Sequence, residues 1–148
     1  MLLVALRPGL AGRVQAIAEA QVPPLAFVAL QQRYPQARDV KWKRAQGWYQ
    51  ANYSQYQIHH LARFDINGDV QATGNNMALA ALPMPVQHIL TTHFPSRKTC
   101  QAYKIVNAHT GGITYEMATC ESYVSRTITL TADGLKIPHA RNKQAEGT

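Results

Sequence analysis

Two hydrophobic periods alternate along this chain. Ala26, Ala29, Leu30 and Tyr34 recur at helical spacing after Pro23, and Val86, Ile89, Leu90 and Phe94 do so after Pro83. Proline is tolerated in a first helical turn, and each stretch closes before another proline, so each predicts a short helix with one buried stripe. Elsewhere the period drops to two. Val40 and Trp42 alternate with Lys41 and Lys43, and Tyr49, Ala51 and Tyr53 alternate with Trp48, Gln50 and Asn52, the mark of half-buried strands. Residues Ile58 to Phe64 and Val124 to Leu130 alternate again and run into Asn67-Gly68 and Asp133-Gly134, both turn pairs. Short returning strands are expected near Val70 to Thr73 and Leu135 to Pro138.

The pattern echoes itself. Val22-Pro23 with Tyr34-Pro35 recurs 60 residues later as Leu82-Pro83 with Phe94-Pro95, and Phe64-Asp65-Ile66-Asn67-Gly68 recurs 66 later as Leu130-Thr131-Ala132-Asp133-Gly134. Internal similarity at such an offset points to two copies of one supersecondary unit. The expected fold is therefore α+β, a tandem repeat of a helix packed on an antiparallel β-meander. Residues 21–76 form the first unit and 77–138 the second, sharing one core, with 74–81 as the joint and 139–148 as a flexible tail. Register follows from placing the apolar residues on one face. A tight turn at Ala45-Gln46 pairs Trp42 with Tyr49. Pairing Asn107 with Ile113 puts Tyr103, Ile105, Ile113, Tyr115 and Met117 on one face, Lys104 opposite Glu116, and Cys100 opposite Cys120. Directly opposed cysteines can bond, and a disulfide closing such a loop is worth about 3 kcal/mol in the chain-entropy model.

The first 20 residues, MLLVALRPGLAGRVQAIAEA, shift the picture toward export. They are too interrupted to span a bilayer and read as a signal peptide with its charged start missing, with small-x-small cleavage sites after Ala16 or Ala20. An ordinary N-terminal helix is the alternative. A disulfide would fit the oxidising compartment beyond the membrane, periplasmic or secreted. The 148 residues and 46% hydrophobic content suit one folded domain and exclude a disordered polymer, while 16% charge and a mean hydropathy of -0.25 exclude a membrane bundle. Fifteen Lys+Arg against eight Asp+Glu give +7, which suits an acidic partner or surface.

Candidate chemistry is sparse. The chain lacks a Gly-x-Ser-x-Gly nucleophile elbow, a Gly-rich phosphate loop and a His-Glu-x-x-His helix. Six histidines occur, none at ligand spacing to a second His, Cys or carboxylate; His59 and His60, adjacent on a strand, face opposite sides. Asp65 to Asp69 mimics a calcium loop but lacks the bidentate Glu, and reads as a hairpin turn. No catalytic residue, metal site or cofactor is therefore assigned, and the chain is not expected to be an enzyme. What remains is a surface: Lys41, Lys43 and Trp48 share one strand face, with Tyr56 farther along. An exposed Trp among cations suits a hot spot for an acidic protein or envelope component, or alternatively a platform for single-stranded nucleic acid. A buried Trp48 covered by a neighbouring strand is the plainer reading.

Val22-Pro23, Tyr34-Pro35, Val40-Lys41-Trp42, Tyr49-Gln50-Ala51-Asn52-Tyr53 and Phe64-Asp65-Ile66-Asn67-Gly68 together resemble the PepSY-like family, with the pattern repeated to Asp133-Gly134. That family is described as beta-lactamase-inhibitor-like, mostly secreted or periplasmic proteins of the Bacteroidetes. The resemblance implies helices packed on an antiparallel sheet whose other face is open to a partner, and a non-catalytic, inhibitor-like or envelope accessory role. It carries no catalytic residues to transfer. Lys43 and Arg44 depart from it, standing where family members often carry acids, and the cysteine pair is not a family hallmark.

Overall fold

A computed structural model describes residues 14–94, 99–119 and 127–137. In chain order the elements are β1 (Gln15–Ile17), α1 (Pro24–Arg33), β2 (Arg38–Ala45), β3 (Trp48–Gln55), β4 (Ile58–Phe64), β5 (Val70–Met77), α2 (Met84–His93), β6 (Thr99–Asn107), β7 (Ile113–Thr119) and β8 (Thr127–Thr131). Both helices begin beside paired or adjacent prolines: Phe27 N–H donates to the Pro23 carbonyl, and Gln87 N–H to that of Pro83, each at 3.0 Å. The predicted stripes face inward, with Ala26, Leu30 and Val86 buried. Short 3₁₀ turns, Glu19–Gln21 and Leu79–Ala81, precede the helices.

Two helix-plus-meander units in tandem are not what forms. Among the described residues, all eight strands belong to one antiparallel sheet, each hydrogen-bonded to its neighbour in the chain. The expected boundary at 76/77 falls inside β5, which pairs with β6 from Ala72↔Asn107 to Met77↔Ala102. The reason is the backbone. A separate meander would leave two rows of unpaired N–H and C=O groups, and joining β5 to β6 satisfies one row from each half. Residues 74–77, expected in the joint, become strand on the strength of that pairing, although Gly and Asn are poor strand formers.

Helix-side packing forms two clusters. Leu30, Trp42, Tyr53 and Phe64 anchor one beneath α1; Val86, Met117, Ile128 and Leu130 anchor the other beneath α2. The turn glycines lock these layers together. Gly68 and Gly134 have φ of +82° and +83°, and a Cβ on them would lie 2.5 Å from the Leu25 carbonyl oxygen and 3.0 Å from that of Pro85, respectively. Each Asx-Gly turn thus lets its hairpin end dock against a helix.

Register differs from expectation in both hairpins, with unequal consequences. The first closes at Gln46-Gly47 and pairs Trp42 with Ala51 and Ala45 with Trp48; the two-residue shift leaves every side chain on its expected face. The second pairs Val106 with Ile113, Lys104 with Tyr115 and Tyr103 with Glu116. That one-residue shift exchanges faces, so Ala102 packs beneath α2 while Tyr103 and Ile105 turn away from it. The turn decides it: the Asn107 side-chain oxygen accepts from His109 N–H at 2.9 Å and Thr110 N–H at 3.0 Å, and Asn107 N–H donates to the Gly112 carbonyl at 2.9 Å. The register shift between Thr99 and Gln101 makes Cys100 the extra residue of a bulge; Cys120, its expected partner, lies outside the described residues.

Part of the expected signal segment is structural. Ile17 pairs with Trp42 and packs on the first cluster, so the expected cuts after Ala16 and Ala20 fall inside β1 and the following 3₁₀ turn. Residues 1–13 and the expected tail 139–148 lie outside the described residues. Among the described residues, no helix is long and apolar enough to cross a membrane.

Candidate functional site: the concave sheet face

Strand alternation sends one residue in two away from the helices. On β2 these are Lys41 and Lys43; on β3, Trp48, Gln50, Asn52 and Ser54; on β4, His59, Leu61 and Arg63; on β6 and β7, Tyr103, Ile105 and Glu116. Adjacent strands lie near 4.8 Å apart, so β4 and β7 would be roughly 14 Å apart in a flat sheet. Yet Arg63 Nη2 on β4 donates to Glu116 Oε1 on β7 at 2.7 Å. One arginine and one glutamate meet across two intervening strands because the sheet curls with this face inward.

The floor of the concavity is apolar: Leu61, Ala72 and Ile105 are buried there, with Tyr103 against them. Gly74 lies between Leu61 and Ile105, and its missing side chain leaves the room they occupy. Arg63 roofs the floor and organises the polar groups above it. Its Nε donates to Gln50 Oε1 at 2.8 Å, Gln50 Nε2 donates to Asn52 Oδ1 at 2.7 Å, and the guanidinium lies 4.5 Å from the centre of the Trp48 ring. The charge, amide chain and indole form one connected network, which fixes the Trp48 ring instead of leaving it to rotate.

The sequence-predicted residues divide here. Lys41, Lys43 and Trp48 share the concave face, as expected, with the lysines exposed and Trp48 half-buried under Arg63. Tyr56 is not with them. It stands 79% exposed in the β3–β4 turn, at the opposite end of β3 from Trp48, roughly 25 Å away by strand rise. Gln50 and Asn52, read in phase with Trp48, and Arg63, in phase with Leu61, were not among the predicted site residues. Glu116 had no local signal, since its partner is 53 residues away.

The remaining polar candidates are accounted for locally. Asp65 Oδ1 accepts from the backbone N–H groups of Asn67 and Asp69 at 2.8 and 3.0 Å, so the calcium-loop mimic is a turn held by its own carboxylate. His59 is hydrogen-bonded to Ser54 while His60, facing the other way, stacks on Tyr53. Among the described residues there is no group of three or more His, Cys, Asp or Glu able to hold a metal ion.

Solved structures with this architecture exist. A protein described as periplasmic from Bacteroides eggerthii superposes with a TM-score of 0.59 at 14% identity, over 79% of this chain and 86% of that one. A DUF2874-family protein from Bacteroides uniformis gives 0.57 at 15% identity, over 78% and 86%. A BLIP-like protein from Bacteroides fragilis gives 0.51 at 16% identity, over 77% and 82%. At these identities the likeness establishes a BLIP-like fold. No protein-family model and no curated protein matches the chain, so the PepSY-like resemblance rests on its quoted residues alone.

Proposed function

We propose that this chain is an exported, non-catalytic binding module that captures an acidic protein or acidic envelope component on its concave sheet face. The observation that carries this reading is the pairing of two exposed lysines, Lys41 and Lys43, with an indole fixed by Arg63. Arg63 is neutralised by Glu116, so the lysines supply the face's attraction while Trp48 supplies contact area at small entropic cost. Structural neighbours described as periplasmic and BLIP-like support the exported, protein-binding sense of the assignment.

Capture from a native envelope extract, followed by titration of the purified partner, tests it. Trp48→Ala and the Lys41→Glu/Lys43→Glu pair should each weaken the complex at least tenfold while far-UV circular dichroism stays unchanged. The association rate should also fall as salt rises, since exposed charges are screened over a Debye length of about 8 Å at physiological ionic strength. Equal capture by all variants rejects this face.

Export brings the cysteines into the same proposal. Thr99 and Thr119 are Cα partners at the end of the β6–β7 hairpin, and Cys100 and Cys120 each follow one of them in the sequence. We propose that they form a disulfide. Thiol titration of unreduced, denatured protein should find none; two reactive thiols reject the bond.

A further inference from the structure

We propose a second site, at the end of β2, β3 and β4 far from Trp48, where Ser54 and His59 carry the same sheet face to its edge: a cleft that binds a small zwitterion, a free α-amino acid or dipeptide. The cleft has a volume of about 470 Å³ and is lined by Gln36, Arg38, Asp39, Ser54, Tyr56, Gln57 and His59. That volume falls within the ordinary range for small-molecule sites.

Three observations converge on it. The first is charge. Arg38 and Asp39 both line the cleft, yet among the described residues neither makes an ion pair, and they do not pair with each other. One unpaired cation and one unpaired anion facing the same volume suit a ligand carrying both charges. Arg38 would take the carboxylate, which a guanidinium fork can grip in two places, and Asp39 the ammonium.

The second is backbone strain. Asp39, Tyr56 and Gln57 have φ of 53°, 51° and 66°, and they are all the non-glycine residues with positive φ among those described. All three line this cleft. A two-residue hairpin turn of this shape favours Asn-Gly, so Tyr-Gln there is a poor local choice that places a phenol and an amide on the rim. Sparsely populated backbone conformations gather at ligand clamps and binding sites because the surrounding structure holds them for a purpose.

The third is alignment. A register shift between Arg38 and Lys41 bulges β2, and Arg38 becomes the Cα partner of Ser54, itself the partner of His59. Bulges re-aim side chains at the borders of sites. Ser54 Oγ lies 3.2 Å from His59 Nδ1. With the hydroxyl donating to Nδ1, the neutral ring carries its proton on Nε2 and offers a donor to the ligand.

Nuclear magnetic resonance titration with glycylglycine tests the site, with acetate and ethylamine as single-charge controls. Saturable shifts of the His59 and Tyr56 ring signals are expected with the dipeptide, and affinity for either control should be at least tenfold weaker. Arg38→Gln and Asp39→Asn should each weaken dipeptide binding at least tenfold; Asn keeps the left-handed backbone at position 39 accessible. Trp48→Ala should leave it unchanged, so this site and the contact made by Trp48 can fail separately. Tyr56→Asn/Gln57→Gly, which relieves the turn, should raise Tm and weaken binding at least threefold. Acetate binding as tightly as the dipeptide overturns the zwitterion assignment. No saturable shift with any probe overturns the site, and full affinity in the relieved-turn variant overturns the role of the strain.

Discussion

Gly74 sits where the two halves of the concave floor meet. A Cβ there would come within 2.6 Å of Ile105 Cδ1 and 2.9 Å of the Lys104 carbonyl oxygen, and backbone cannot yield as a side-chain end can. Gly74→Ala should therefore lower stability in urea unfolding by about 1–3 kcal/mol, the usual cost of overpacking. Above it, the side chains of Arg63 and Glu116 are only 14% and 16% exposed, so removing one charge leaves the other poorly solvated. Glu116→Gln should cost about 2 kcal/mol, in the range for a hydrogen bond to a charged group, while Arg63→Met/Glu116→Met should recover much of that loss. Denaturant midpoints of the two variants measure both; a double variant no more stable than Glu116→Gln would show that the pair does not act as a unit. Neither effect could be read from local sequence. Gly74 fell in the expected joint, and Arg63 meets its partner only because the curl brings Glu116, 53 residues away, to it.

Among the elements, β1 and the β6–β7 hairpin show where local pattern misleads. Gln15–Ile17 is a three-residue strand within a stretch whose small and apolar residues also satisfy a cleavage pattern. Its pairing with β2 and the contact of Ile17 with the core make it part of the folded body. A chain starting at Gln21 should lose about 1–2 kcal/mol relative to one starting at Val14, the worth of a partly buried aliphatic side chain, and should aggregate more readily through the uncovered edge of β2. Unfolding midpoints and light scattering of the two chains test this; equal stability would make β1 dispensable. For β6–β7, the apolar pattern put Tyr103 and Ile105 on the face of Tyr115 and Met117, and the structure turns them to the other. The Asn107 side chain chose by capturing two loop N–H groups, a preference weaker in the sequence than a run of large apolar residues but decisive once the loop closes. The helices were legible throughout, because proline position and a single apolar stripe act within ten residues.

At the scale of the whole molecule, stability should fall in alkali through Tyr53. Burial first, then the neighbouring Tyr34, raise its phenol well above the ordinary value near 10. The unfolded chain releases this proton sooner than the folded one, so the contribution is fully present below pH 10 and is lost as pH rises toward the folded value. Thermal unfolding between pH 8 and pH 11 should show Tm declining from about pH 10, and Tyr53→Phe should flatten that decline; an unchanged slope would exclude Tyr53 as its source. The sheet is also why the internal echo does not divide the molecule: similar segments make similar helices and turns, but one continuous ladder joins them. By itself the sequence determined the helices, most strands, the buried stripes and the polar phase containing Lys41, Lys43 and Trp48, because these depend on periodicity and on residues within a few positions of one another. The tertiary structure alone decided the single sheet, the face taken by Tyr103, the Arg63–Glu116 bridge and the removal of Tyr56 to a separate cleft. Those depend on how unpaired backbone edges are satisfied and how far the sheet curls, which bring together residues that no local pattern relates.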